Sequence, residues 1–264
     1  MSNISSIGFV GFGNMATAIF EGIKQSNIKI PKIYAFRKSE KILPKSVYKL
    51  NLDNLLKTAD VIILAIKPQQ LNEIAAHFKE VDLSKKCIIS IMAGTKIKTL
   101  TKLNKKLNNI IRVMPNTAAS IQESVSIISV KKGTNKEFIT FTESIFESIG
   151  SIQKVDEEQM NFATAMFGSG PAFIYKIMED LINICNQNKI NKKNSELLIK
   201  QLFFGTSKLA QASNKPIQTL IKEICSPNGT TEAGLKKLKE LNLDISMAQI
   251  IDSAENRAKK LSNE

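Results

Sequence analysis

Apolar and polar positions divide the chain into two regimes. Up to about residue 155, short runs rich in β-branched residues alternate with stretches of helical period. The runs at 7–11, 32–36, 61–66, 87–91, 109–114, 124–130 and 151–155 predict strands, and the amphipathic stretches at 15–24, 70–78, 97–107 and 136–149 predict helices between them. Such alternation implies a parallel sheet with helices on its faces. The runs at 61–66 and 88–91 are apolar throughout but for Ser90, as strands buried on both faces should be. From residue 156 onward the rhythm is 3.6 residues throughout, over 162–190, 195–212, 217–224, 232–241 and 245–261, and no strand is expected. The chain thus reads as α/β, with a sheet domain over 1–155 and an all-helical domain over 156–264. The stretch 171–184 is apolar around much of its circumference and must find cover. The surface of a second copy is the expected place.

Composition changes this picture only by exclusion. With 264 residues, 43% hydrophobic and 23% charged, the chain is long enough to bury a core without staples. Cys87, Cys185 and Cys225 form no CxxC pair and His77 is the sole histidine. No metal is therefore expected, and a hydrolytic triad would have to rest on His77 alone. No cleavable leader and no membrane-spanning run is read, so a cytoplasmic protein with reduced thiols is expected. The net charge of +13 raises nucleic acid as a partner. Nearly all of it is lysine, however, with arginine only at 37, 112 and 257, and there is no tryptophan. Base readers and stacking platforms are scarce, so small anions are the expected partners.

Candidate chemistry begins at Gly11-Phe-Gly-Asn-Met-Ala16, a GxGxxA turn between the first strand and the first helix. Gly11 permits the tight turn and Gly13 the close approach of a pyrophosphate. The N–H groups around Asn14 and Met15 open the helix, and Ala16 lets it pack on the sheet. That is a Rossmann-type dinucleotide site. The second strand ends in Arg37, Lys38 and Ser39, where an NAD enzyme carries an acid. Positive charge and donors there suit a 2′-phosphate, so NADPH is expected over NADH, with NADH possible; a plain solvated strand end is the alternative. Ala65-Ile-Lys67-Pro68 closes the most apolar strand, and Lys67 reads equally as a cofactor contact or a loop lysine.

Four further segments stand out. Ser90-Ile-Met-Ala93-Gly94 and Arg112-Val-Met-Pro-Asn116-Thr117 end two strands in small or hydrogen-bonding residues. Phe167-Gly-Ser-Gly-Pro-Ala172 should interrupt its helix, for backbone approach or for a tight helix crossing. Ser226-Pro-Asn228-Gly229-Thr230-Thr231 reads as a turn feeding a helix. Its amides and hydroxyls could hold a small carboxylate or serve simply as a cap.

Taken together these segments resemble the pyrroline-5-carboxylate reductase family. The resemblance runs from Ile7 to about Leu241, with five blocks in the family's order: the GxGxMA opening, Ala-Ile-Lys-Pro, Arg-Val-Met-Pro-Asn-Thr, Phe-Gly-Ser-Gly-Pro-Ala-Phe and Ser-Pro-Asn-Gly-Thr-Thr. It implies an N-terminal Rossmann domain and a helical domain that interlocks with a partner, giving a homodimer that often assembles further, commonly to a decamer. It implies hydride transfer from NAD(P)H to the C=N carbon of 1-pyrroline-5-carboxylate, giving proline. Ala93, Gly94 and Asn116 fall on cofactor-side positions by the same resemblance. Ser226, Asn228, Gly229, Thr230 and Thr231 would hold the substrate, with Thr231 and Ser226 at the chemistry and Thr231 on the ring nitrogen. Two departures are visible. Pro and Gly are missing after Asn116-Thr117, and Asn228 stands where Gly is usual; asparagine tolerates positive φ. The family's 2′-phosphate asparagine matches either Asn51 or Asn54. A β-hydroxyacid dehydrogenase would need a lysine where Gly168-Ser-Gly-Pro171 stands, and Lys176 comes later. A dinucleotide sensor without catalysis would not need the intact 226–231 loop.

Overall fold

The computed structural model describes residues 4–29 and 32–262. Eight strands form one sheet: β1 (Ser6–Val10), β2 (Lys32–Phe36), β3 (Val47–Lys49), β4 (Val61–Leu64), β5 (Cys87–Ser90), β6 (Asn109–Met114), β7 (Ser124–Val130) and β8 (Gly150–Lys154). Their order is β3-β2-β1-β4-β5-β6-β7-β8. All pairings are parallel except β6 with β7. That exception follows from the connection: residues 115–123 hold only a 3₁₀ turn, Thr117–Ile121, and are too short for a parallel crossover. The first six strands have the 3-2-1-4-5-6 order of the doubly wound dinucleotide fold.

Strand alternation builds two separate cores. Ile7, Phe9, Ile63, Ile89 and Ile111 face one side and pack with α1 (Asn14–Gln25) and α5 (Lys136–Glu147) through Ile19, Phe20, Phe141 and Phe146. Val10, Ile62, Leu64, Ile88 and Ile110 face the other. There they meet α2 (Leu52–Thr58), α3 (Leu71–Lys79) and α4 (Ile97–Thr101) through Leu55, Leu56, Phe78 and Leu100. The strand β3 and helix α2 were not expected from the pattern; both are short and lie toward the sheet edge. The helix expected over 97–107 stops at Thr101. Asn104, buried, turns its amide onto the carbonyls of Phe78 and Val81 at 2.7 and 2.9 Å, and its own oxygen accepts from the Lys106 N–H. A side chain that bonds backbone in this way competes with the helix ladder.

The sheet unit continues beyond the boundary expected at residue 155. Residues up to 169, with those from 252 on, form one compact unit, and residues 170–251 form the second. A 3₁₀ turn at Glu157–Gln159, α6 (Met160–Ala163) and a π-helical turn at Thr164–Gly168 belong to the first, with Met160 and Ala163 buried against Ile127. The Phe167–Ala172 segment therefore holds a π turn, closed by Ser169 N–H to the Thr164 carbonyl at 3.0 Å, where an interruption was expected. A side chain on Gly168 would sit 2.6 Å from Met114, so close approach to the end of β6 is its local purpose. π turns of this kind are frequent at functional sites.

The second unit holds α7 (Gly170–Gln187), α8 (Lys192–Ala212), α9 (Ile217–Ile224), α10 (Thr230–Glu240) and the first part of α11 (Leu243–Leu261). Pro171 stands in the first turn of α7, where its missing N–H costs nothing. Lys189 in the left-handed region ends α7, and the Asn191 side chain caps α8 by accepting from Lys193 N–H at 2.9 Å. Among residues 170–251 only Ser195 and Ile199 are buried. Along α7, Ile174, Tyr175, Ile177 and Ile184 are exposed, so the burial expected for this helix is not met within one chain. No helix among the described residues is long and apolar enough to cross a membrane.

Candidate active site

In the first unit, the carboxyl ends of β1, β2 and β4 meet around a cleft of about 300 Å³. It lies where the strand order reverses direction, between β1 and β4, the place where open α/β sheets bind ligands. Gly11, Gly13, Arg37, Lys38, Ser39, Ala65 and Lys67, all expected at a cofactor, line it.

Gly11 has φ +89, and its N–H donates to the Phe36 carbonyl at 2.8 Å. A Cβ there would lie 2.6 Å from the Ala65 carbonyl oxygen, so only glycine fits this turn. Gly13 differs. It is exposed, has ordinary extended backbone, and an added Cβ would meet nothing within 4 Å. It precedes α1, whose first turn carries no side-chain cap and no acidic residue. The N–H groups of Asn14, Met15 and Ala16 have no acceptor within the helix. An open cradle at the positive end of a helix fits an anionic diphosphate. Ala16 is buried, 1% exposed, where a larger side chain would lift the helix from the sheet.

At the end of β2, the half-buried Arg37 directs Nε and Nη2 onto the Ser39 hydroxyl at 3.0 and 2.6 Å, and Nη1 onto the Lys41 carbonyl. Lys38 Nζ reaches across to Glu73 Oε2 on α3 at 2.5 Å. Asn51 lies outside the cleft lining and caps α2, its side chain accepting from Asn54 N–H at 2.9 Å. Lys67 donates its N–H to the Gln70 side chain at 3.1 Å. Gln70 and Ile74 also line the cleft; the pattern marked this stretch only for its apolar face.

Pro68 and Gly94 border a neighbouring recess instead, with Leu261 and Ser262. Gly94 has φ +71, and a Cβ on it would lie 2.9 Å from Leu261 Cβ. Ala93 precedes it beyond β5. Asn116 caps the Thr117–Ile121 turn, accepting from Ala118 N–H at 3.0 Å and donating its own N–H to Ser124 Oγ at 3.0 Å. Beneath these loops lies a pair that the sequence did not reveal. Arg112 on β6, 3% exposed, bonds Glu157 at 3.0 Å, and the same Glu157 oxygen accepts Ile97 N–H at 2.6 Å. Burial pulls the Arg112 guanidinium down from its ordinary value, and the carboxylate beside it opposes that pull.

In the second unit, residues 226–231 form the turn between α9 and α10. Asn228 has φ +58, as its place in the turn requires, and Gly229 N–H donates to the Ser226 carbonyl at 3.0 Å. Gly229 precedes α10 with no side-chain cap, and Thr230 and Thr231 open the helix. Thr231 is half-buried, while Ser226, Asn228 and Thr230 are exposed. Glu232, not singled out from the sequence, accepts Asn228 N–H at 2.7 Å and fastens the turn to the helix. The only advance signal was an acid in a first helical turn.

A 3-2-1-4-5-6 sheet with a glycine turn opening α1 at its switch point defines a Rossmann-type dinucleotide-binding protein. Comparison with known proteins narrows the class. The family model described as "Pyrroline-5-carboxylate reductase dimerisation" matches residues 157–261, and one described as "NADP oxidoreductase coenzyme F420-dependent" matches residues 6–94. A curated pyrroline-5-carboxylate reductase of Staphylococcus aureus is 34% identical over 263 residues, covering 97% of each chain. Pyrroline-5-carboxylate reductase 2 of Bacillus subtilis is 32% identical, covering 98% of this chain and 95% of its own. Among solved structures, Plasmodium falciparum pyrroline carboxylate reductase with NADP bound superposes with a TM-score of 0.87 at 30% identity, covering 99% of each chain. The Coxiella burnetii pyrroline-5-carboxylate reductase gives 0.85 at 30% identity, covering 98% of this chain and 99% of that one. The chain belongs to the pyrroline-5-carboxylate reductase family.

Proposed function

We propose that this chain is an NAD(P)H-dependent oxidoreductase that reduces 1-pyrroline-5-carboxylate to proline, the last step of proline biosynthesis. The observation that carries the reading is the open cradle at Gly13 before the uncapped, acid-free first turn of α1, in a chain of this family. In this reading residues 1–155 bind the cofactor and residues 156–264 carry dimerisation and substrate. Gly11, Gly13 and the amides of Asn14, Met15 and Ala16 hold the diphosphate. Arg37, Lys38 and Ser39, with Asn51 at the neighbouring helix start, read the 2′-phosphate and favour NADPH. Ala65, Lys67, Pro68, Ala93, Gly94 and Asn116 border the remainder of the cofactor.

Bound NADPH supplies a hydride to the C=N carbon. The chain's own task is orientation. Main-chain N–H groups around Gly229, Thr230 and Thr231, with the Asn228 turn and the Ser226 hydroxyl, hold the substrate carboxylate at the positive end of α10. The Thr231 hydroxyl bonds the ring nitrogen and fixes which ring face is presented. A hydroxyl is a poor acid near neutral pH, so Thr231 orients rather than drives protonation. The exposed apolar side chains of α7 support a homodimer through residues 170–251. Further assembly, as to a decamer, and a cytoplasmic setting complete the reading.

The test is turnover of 1-pyrroline-5-carboxylate with NADPH, in the wild type and in Thr231→Ala and Thr231→Val. Both variants should lose turnover at saturating NADPH while binding NADPH normally. Full turnover in the valine variant, which keeps the shape, would make Thr231 a packing residue.

A further inference from the structure

The 2′-phosphate site assumed above is lined by two cations, and one of them is already engaged. Lys38 Nζ lies 2.5 Å from Glu73 Oε2, although the two residues are 35 positions apart. Glu73 sits on α3, one turn beyond Gln70 and beside Ile74, both of which line the cleft. Arg37, the other cation, turns its three donors inward to Ser39 and Lys41. The approach to the phosphate thus carries one partly neutralised lysine and one carboxylate at close range.

We infer that Glu73 is a specificity-determining residue, which competes with a 2′-phosphate for Lys38 and so limits the preference for NADP(H) over NAD(H). The inference rests on the cofactor reading above. An NADP ligand must draw Lys38 from Glu73 or leave the two paired and forgo its charge. It also brings about two negative charges close to the Glu73 carboxylate. NAD carries only an uncharged 2′-hydroxyl at this position and leaves the pair as it is. Lys38 and Glu73 are both more than half exposed, at 60% and 53%. Exposed pairs of this kind are weak, so the brake is modest and separates the two dinucleotides by a factor of about 2–5.

The experiment is calorimetric titration of the full chain with NADP+, NAD+ and 2′,5′-ADP. It is run on the wild type, Glu73→Gln, Lys38→Gln and the double variant. Glu73→Gln should bind NADP+ and 2′,5′-ADP about 2–5 times more tightly and leave NAD+ unchanged. In the Lys38→Gln background the same substitution should give a clearly smaller gain, because only the direct repulsion between Glu73 and the phosphate remains. A parallel change for NADP+ and NAD+, no change for either, or an undiminished gain without Lys38 would each overturn the inference. A wild type that binds neither dinucleotide would remove the cofactor reading and this inference with it. If the split appears but 1-pyrroline-5-carboxylate is not reduced, the inference stands and the substrate assignment fails.

Discussion

Gly11 and Gly13 stand two residues apart in one turn, and the structure gives them opposite duties. Substituting each with alanine should separate folding from ligand binding. At Gly11 the new methyl would lie 2.6 Å from the Ala65 carbonyl oxygen and 2.8 Å from Ile66 Cγ2, on a backbone with φ +89. The left-handed conformation costs about 1–2 kcal/mol for a residue with a Cβ, and the overlap adds at least about 1 kcal/mol. Together they give roughly 2–4 kcal/mol, which at about 2–4 °C per kcal/mol lowers Tm by roughly 5–15 °C. At Gly13 the methyl meets nothing within 4 Å and φ is −94. Alanine is a poorer N-cap than glycine, but it removes unfolded-state entropy of about 0.4–1 kcal/mol. The two effects nearly cancel. The methyl nevertheless fills the space through which a diphosphate would reach the first amides of α1. Each charge-assisted bond lost there costs about 1.5–3 kcal/mol, so NADP+ should bind at least about tenfold more weakly. Calorimetric melting and NADP+ titration of both variants test this. A Gly13→Ala protein that binds NADP+ like the wild type, or that melts as early as Gly11→Ala, would refute the assignment of Gly13.

Three further outcomes are expected. Glu157→Gln leaves the buried Arg112 charge uncompensated; with Glu157 one-third exposed, the urea midpoint should report a loss of about 2–3 kcal/mol, and Glu157→Gln with Arg112→Met should recover part of it. Burial alone would raise the Asp60 carboxyl, but the Ser5 N–H, the Ser5 and Ser6 hydroxyls and Lys86 hold it below the ordinary carboxylate value. Its stabilising contribution is therefore complete above the unfolded value near 4 and is lost as pH falls through the lower folded one; Asp60→Asn should flatten the urea midpoint between about pH 5 and 2, and an unchanged pH slope would count against this. Ile177, 40% exposed on α7, should tolerate lysine in the single chain, so Ile177→Lys should sediment near 29.3 kDa while the wild type at micromolar concentration sediments at twice that mass or more; a variant that stays associated would exclude this face from the interface.

The glycine turn, seven of the eight strands and the helical second half were legible because each is written locally, in a period or a spacing. What escaped depends on partners far along the chain. The strand β3 and helix α2, three and seven residues long, are too short for a period to show, although Leu52, Leu55 and Leu56 line one face behind the Asn51 cap. Asn104 ended α4 early through carbonyls 23 and 26 residues away. Arg112 finds Glu157, and Lys38 finds Glu73, only once the sheet has brought their loops together. Gly168 looked like a helix breaker, yet it serves the approach of Met114. At Asn104, Glu157 and Glu73 a side chain satisfies a buried or cationic group that no local pattern names.

The near absence of buried side chains in residues 170–251 bears on how the protein comes to exist. The sheet unit has two cores of its own, built from residues before 150, and these can collapse without the helices of 170–251. Helices α7 to α10 bury almost nothing alone, and helices in proteins draw most of their stability from tertiary packing. Their hydrophobic driving force is therefore supplied by an encounter between chains, a bimolecular event whose rate depends on concentration. A dilute or newly made chain would carry a finished N-terminal half and a sticky, half-ordered C-terminal half. A copy with a defective sheet unit and an intact helical half would still pair with a sound one.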